Sequence, residues 1–169
     1  VNVGVVLTEL KEYEKSNAYL EKSLKIFISY DDPFGEARAL NNMGDNYTQM
    51  GLFDKAENHI RRSISLREEY EDWFGLTNCY LHLGNMFQAK EMSDSADFYL
   101  FKSIDLCLET ENYRVAVLAL LEKGRLLGNL EEFKESNDYL LNALELAENM
   151  EYDPILNDIY SLLSQNYSE

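Results

Sequence analysis

The sequence predicts an all-α fold, a right-handed solenoid of antiparallel helix pairs, and three observations carry that prediction. Gly4, Gly44, Gly84 and Gly124 stand forty residues apart, with Ser164 at the next place. Apolar and small residues recur in step with them. Nowhere does an alternating, strand-like pattern appear. A fixed period of this length is the mark of stacked repeats. Stacked repeats expose an extended concave surface, so the period points to a binding module.

The units follow one another near 1–30, 33–70, 73–110 and 113–150, with a partial helix over 153–169. In the first, Leu7, Ser16, Leu20, Ser23 and Leu24 follow Gly4 at 3, 12, 16, 19 and 20 residues. Large and small residues at helical spacing are what two closely packed helices require. The second unit opens at Asp31-Asp32-Pro33-Phe34-Gly35 and predicts helices near 34–50 and 53–69, broken at Gly51-Leu52. The third repeats the columns as Gly84, Phe87, Ala96, Leu100 and Ser103. The fourth has Gly124, Leu127, Ser136, Leu140 and Ala143. Asp32, Asp72 and Asn112 precede successive first helices as N-caps, because a short side-chain oxygen there can accept a free backbone N–H. Pro33 and Pro154, the only prolines, fall in inter-unit turns. About nine helices are expected.

Met43-Gly44-Asp45-Asn46-Tyr47 followed by Gly51-Leu52-Phe53-Asp54-Lys55-Ala56 resembles the tetratricopeptide repeat. So do Leu83-Gly84, Phe87 and Ala96. Other positions depart from the motif: Glu91 and Glu131 replace the turn glycine, Ser136 replaces an alanine, and Lys123 stands where Met43, Leu83 and Leu163 stand. The common repeat has 34 residues, so this is a long variety. The resemblance spans nearly the whole chain and implies a protein-interaction scaffold. Similar long repeats occur in bacterial signalling and regulatory proteins.

Composition narrows the partner. The chain carries 15 basic and 31 acidic residues, a net charge of −16. Such a balance repels nucleic acid and anionic membranes; it suits a protein or peptide partner of basic character, and equally a surface whose carboxylates serve solubility alone. No apolar run of about 18 residues is present to span a membrane, and Val1-Asn2-Val3-Gly4, with no basic residue, does not read as a signal peptide. The expected compartment is the cytoplasm, with the periplasm as the alternative for a sensor region. Both ends fall inside expected first helices, which predicts a piece of a longer array.

Few residues suggest chemistry. Cys79-x-x-His82 places two ligands on one helical face, but zinc sites need three or four, so no metal and no cofactor is expected. Cys79 and Cys107 sit in columns held elsewhere by apolar or small residues and read as buried free thiols. Neither histidine has an evident serine and aspartate partner, so no catalytic residue and no enzyme is expected. Asn46-Tyr47-Thr48 forms a sequon by chance, mid-helix.

The resemblance implies that first helices line the concave side. In their common phase relative to the glycines stand Arg38, Asn41, Asn42 and Asp45, then Asn78, His82 and Asn85, then Arg125. These are the candidate peptide-binding residues. An amide both donates and accepts, so a row of asparagines can grip a partner's main chain. Glu57 and Asp97 are expected on the outward face. The alternative function is self-association as a homodimer through the end helices.

Overall fold

The turns set the length of every helix. Lys11, Asp31, Gly51, Glu71, Glu91, Glu111, Glu131 and Glu151 all have positive φ, between 51° and 71°, and stand twenty residues apart. A left-handed residue just past a helix ends it and lets the last carbonyls be capped. At Gly51 the capping is complete: Leu52 N–H donates to Tyr47 O at 2.8 Å and Gly51 N–H to Thr48 O at 3.0 Å. Only Gly51 of the eight is free of a Cβ; the carboxylates that hold most of the others sit just ahead of the next helix, where its dipole favours negative charge.

The computed structural model describes residues 2–168. Val1 and Glu169, the outermost residues of the expected array, lie outside the described residues. The elements are α1 (Asn2–Glu9), α2 (Tyr13–Ser29), α3 (Pro33–Gln49), α4 (Phe53–Glu69), α5 (Trp73–Ala89), α6 (Ser93–Glu109), α7 (Tyr113–Asn129), α8 (Phe133–Asn149) and α9 (Leu156–Asn166). A single 3₁₀ turn, Asp153–Ile155, precedes α9. The described residues thus form nine α-helices and no strand, an all-α solenoid. None of the helices is long and apolar enough to cross a membrane. The second unit's first helix starts one residue earlier than the spacing predicts, because Pro33 is itself its first residue, where its fixed φ suits the helix and its missing N–H costs nothing.

The glycine column is a packing column. A Cβ on Gly84 would lie 2.7 Å from Leu100 Cγ, and one on Gly124 would lie 2.7 Å from Leu140 Cγ. Gly44 faces Ile60 and Gly4 faces Leu20 in the same way. Each of those four large side chains is fully buried. The small residue in one helix admits the large one from its pair mate, unit after unit.

Three positions differ from expectation. Asp32 and Asp72 do cap their helices, accepting from Gly35 N–H at 2.8 Å and Gly75 N–H at 2.9 Å. Asn112 does not. Its amide instead donates to Thr77 Oγ1 at 2.9 Å and Phe74 O at 3.2 Å, tying the start of α7 to α5. Lys123 is buried in an otherwise apolar column, where its ammonium pairs with the Asp97 carboxylate and lies 5.5 Å from the Tyr139 ring centre. Asp97 therefore belongs to the packing between α6 and α7 and is no neutral outward position.

Asn46 is fully buried. Its amide donates to Ser16 Oγ and Asn17 Oδ1, both at 2.8 Å, and its carbonyl accepts from Thr8 Oγ1 at 2.7 Å. Buried this way, the sequon amide is inaccessible to glycosylation. The same lock recurs 120 residues later, where Asn166 donates to Ser136 Oγ at 2.7 Å and Asn137 Oδ1 at 2.8 Å. Between the two locks the column holds buried Met86 and Leu126.

Candidate functional site

Five of the eight candidate residues meet in one hollow of about 490 Å³. It lies between α3 and α5, where Arg38, Asn41, Asn42, Asn78 and His82 line it. Asp45, Asn85 and Arg125 stand outside it. Arg125 is drawn back to Glu122, one turn earlier on α7, through Nε donating to Oε2 at 3.2 Å. Burial pushes the Glu122 carboxyl upward and Arg125 pulls it down, the first effect being the larger.

The column three residues before the glycine is less open than the resemblance implies. Asn41 is only 3% exposed, and Leu81 and Leu121 in the same column are buried too. That column packs between neighbouring first helices, and Asn41 is its polar exception. Its Oδ1 is buried without a hydrogen-bond partner among the described residues, as are Asn85 Oδ1 and His82 Nδ1. A buried acceptor left unpaired is costly, and buried polar atoms without partners are few in folded proteins. The two amide oxygens, on α3 and α5, are acceptors that incoming N–H donors could satisfy, and His82 Nδ1 accepts or donates according to its tautomer.

Residues outside the candidate set complete the hollow. Arg67, at the end of α4, is 8% exposed. It pairs with the Asp72 carboxylate, and its Nε donates to Ser63 Oγ at 3.4 Å. Its guanidinium lies across Gly75, where any Cβ would collide with it. Phe34 and Phe74, both exposed, stand at the hollow's edge. The signal for Arg67 was in the columns: Phe27, Arg67, Cys107 and Ala147 shrink along the chain while Gly35, Gly75, Val115 and Ile155 grow. The large Phe27 and Arg67 are matched by glycine after the turn, and the smaller Cys107 and Ala147 by Val115 and Ile155.

Cys79 and Cys107 are buried free thiols. Burial raises both, Cys107 to about 11, so neither is a ready nucleophile. Cys79 Sγ packs 3.3 Å from Ser63 Oγ, whereas His82, one turn on, lines the hollow. No group of three or more His, Cys, Asp or Glu residues converges as a metal site among the described residues. Chelation with EDTA is expected to leave the circular dichroism melt unchanged. A lowered melting temperature restored by zinc would assign Cys79 and His82 a structural ion.

The tetratricopeptide repeat model matches residues 1–69 and 35–109. Aspartyl phosphate phosphatase F from Bacillus subtilis is similar in structure, with a TM-score of 0.84 at 17% identity over 97% of this chain and 43% of that one. BtubC from P. vanneervenii gives 0.79 at 18% identity, over 92% of this chain and 66% of that one. A signal transduction ATPase with a tetratricopeptide repeat sensor, from Pyrococcus horikoshii, gives 0.82 at 19% identity, over 99% of this chain and 26% of that one. The chain spans under half the length of the first and third. Among curated proteins, none matches the sequence.

Proposed function

From the premise that this chain belongs to the tetratricopeptide repeat family, whose fold generally serves as a protein-interaction scaffold, we propose that it holds a peptide or protein segment in the groove formed by α3, α5 and α7. The whole array, residues 1–169, acts in this reading as one binding unit of a bacterial signalling or regulatory protein. The observation that carries the reading is a set of buried polar atoms without partners among the described residues: Asn41 Oδ1 and His82 Nδ1 on residues that line the hollow, and Asn85 Oδ1 one turn beyond His82 on α5. A peptide main chain supplies N–H donors at regular intervals, whatever its side chains. Asn42 and Asn78 add donors as well as acceptors. The exposed rings of Phe34 and Phe74 offer an apolar edge, and Asp45 and Arg38 add one charge of each sign for sequence preference. The structural likenesses lie below 20% identity and support the fold alone, so the phosphatase activity named for one of them is not carried over.

The test is selection of a binding peptide from a displayed random library. Alanine at Asn42 and Asn85 together is expected to weaken the selected peptide by about tenfold or more, the loss of one to two hydrogen bonds each worth about 1 kcal/mol. The melting temperature should stay unchanged. Alanine at Asp54 and Glu69, exposed on α4, should leave affinity intact. These replace Asp97 as outward controls because of its pairing with Lys123. Binding lost in the outward pair and kept in the inward pair would place the partner on the other face.

A second reading, pairing of two copies, draws on Val3, Val6 and Leu10, which expose an apolar row at α1. A monomer mass by sedimentation equilibrium at every concentration would remove it.

A further inference from the structure

The acidic charge of this chain is not spread evenly over its second helices. Helix α2 carries two carboxylates and three lysines, and α4 carries four carboxylates and four cations. Helices α6 and α8 each carry four carboxylates and a single lysine. On that acidic half, away from the first-helix groove, lies an apolar hollow of about 360 Å³. Ile104 and Leu108 of α6, Leu120 of α7 and Leu146 of α8 line it, with Glu145 and the Asn142 amide among its borders.

The hollow exists because two residues change in step. One unit earlier, Tyr80 holds the place of Leu120 and Lys102 the place of Asn142. There the Lys102 ammonium lies 5.0 Å from the Tyr80 ring centre and 5.2 Å from that of Phe98, and Tyr80 packs 6.2 Å from Tyr99. Ring and stem fill that gap. With Leu120 and Asn142 the equivalent gap is left open, and its cation is gone. Around it Phe101 and Leu108 are 56% and 58% exposed, on the same helix as the exposed Asp105.

We propose that the α6–α8 face is a second docking surface, which takes a short cationic amphipathic helix whose aliphatic side chain seats between Ile104, Leu120 and Leu146. Charge complementarity selects that occupant: Glu145 borders the apolar floor, the exposed Asp105 follows Ile104 on α6, and the one lysine of α6, Lys102, is engaged over the Tyr80 and Phe98 rings. A helix fits because the furrow between two parallel second helices offers ridges and grooves at helical spacing. The basic partner that net charge predicts thus belongs here, while the first-helix groove carries Arg38, Asp45, Glu122 and Arg125 in near balance.

Fluorescence anisotropy with a labelled amphipathic Leu/Lys helical peptide tests this, with the Leu/Glu counterpart as second probe. The Leu/Lys peptide should bind and the Leu/Glu peptide should not. Leu120→Tyr, which copies the preceding unit, should weaken binding by about tenfold or more, as loss of one buried aliphatic side chain would. Asp105→Lys with Glu145→Lys, both exposed and safe for folding, should weaken it as far and remove its salt dependence. Asn42→Ala with Asn85→Ala should change nothing, which separates this surface from the groove. Failure of the Leu/Lys peptide to bind overturns the proposal. So does binding that survives both the filled and the charge-reversed variants, or that is lost in the groove variant.

Discussion

Leucine in place of Gly84 is expected to cost the array about 3 kcal/mol or more, the upper end for overpacking, and to lower its melting temperature by roughly 2–4 °C for each kcal/mol. The first atom of the new side chain would already lie 2.7 Å from Leu100 Cγ and 3.3 Å from the Leu100 backbone nitrogen. Leu100 has nowhere to go, being fully buried among the side chains of α5 and α6. Relief requires the two helices to part, and they make the broadest contact in the molecule. Stacked units hold one another through neighbour interfaces, so the damage should spread to α4 and α7. Thermal melts by circular dichroism check this. A variant that melts with the parent would show that the crossing has slack. Gly51→Ala is the contrast: nothing lies within 4 Å of its Cβ, and only φ of +71° opposes it, a cost of about 1–2 kcal/mol.

Arg67→Ala should be comparably damaging, at about 3–5 kcal/mol, because it strands a partly buried carboxylate and empties the space above Gly75. Arg67→Phe, which refills that space but still leaves the Asp72 carboxylate without its cation, should cost less than Arg67→Ala. The chain itself contains that solution one unit earlier. There Phe27 lies against Gly35 while Asp32 caps α3 with no arginine before the turn. Urea melts of the two variants decide the matter. Equal destabilisation would mean that the charge of Arg67, and not its bulk, holds α4 to α5.

The period was legible because a glycine pressed against its pair mate, as at Gly4, Gly44, Gly84 and Gly124, leaves no room for a side chain, whereas Ser164, at the next place, is exposed. The helix limits were legible for the same kind of reason: Pro33 and the aspartates at 32 and 72 act locally, within one turn. What escaped was polar pairing between units. Asn112 has the chemistry of a cap and the address of one, yet Thr77, 35 residues away in sequence, offers its amide a better partner. Lys123 looked like a lapse in an apolar column until Asp97 supplied its counter-charge from the preceding helix. The candidate groove was half legible. Phase alone brought Arg38, Asn42, Asn78 and His82 to one hollow, but it could not tell that the column of Asn41 closes between helices. Nor did first-helix phase point to Arg67, which reaches in from a second helix; its signal lay in another column, where it stands one period after Phe27 and opposite Gly75.

The paired locks at Asn46 and Asn166 give the array an order. Units that share a backbone could in principle be shuffled like identical bricks, yet here two of the mortar lines are polar and the two between them are greasy. Exchanging the second and third units would set Asn17, now satisfied by Asn46, against the thioether of Met86. The chain therefore carries its own assembly key, and any chimera built from its pieces must keep Asn46 opposite Ser16 and Asn166 opposite Ser136.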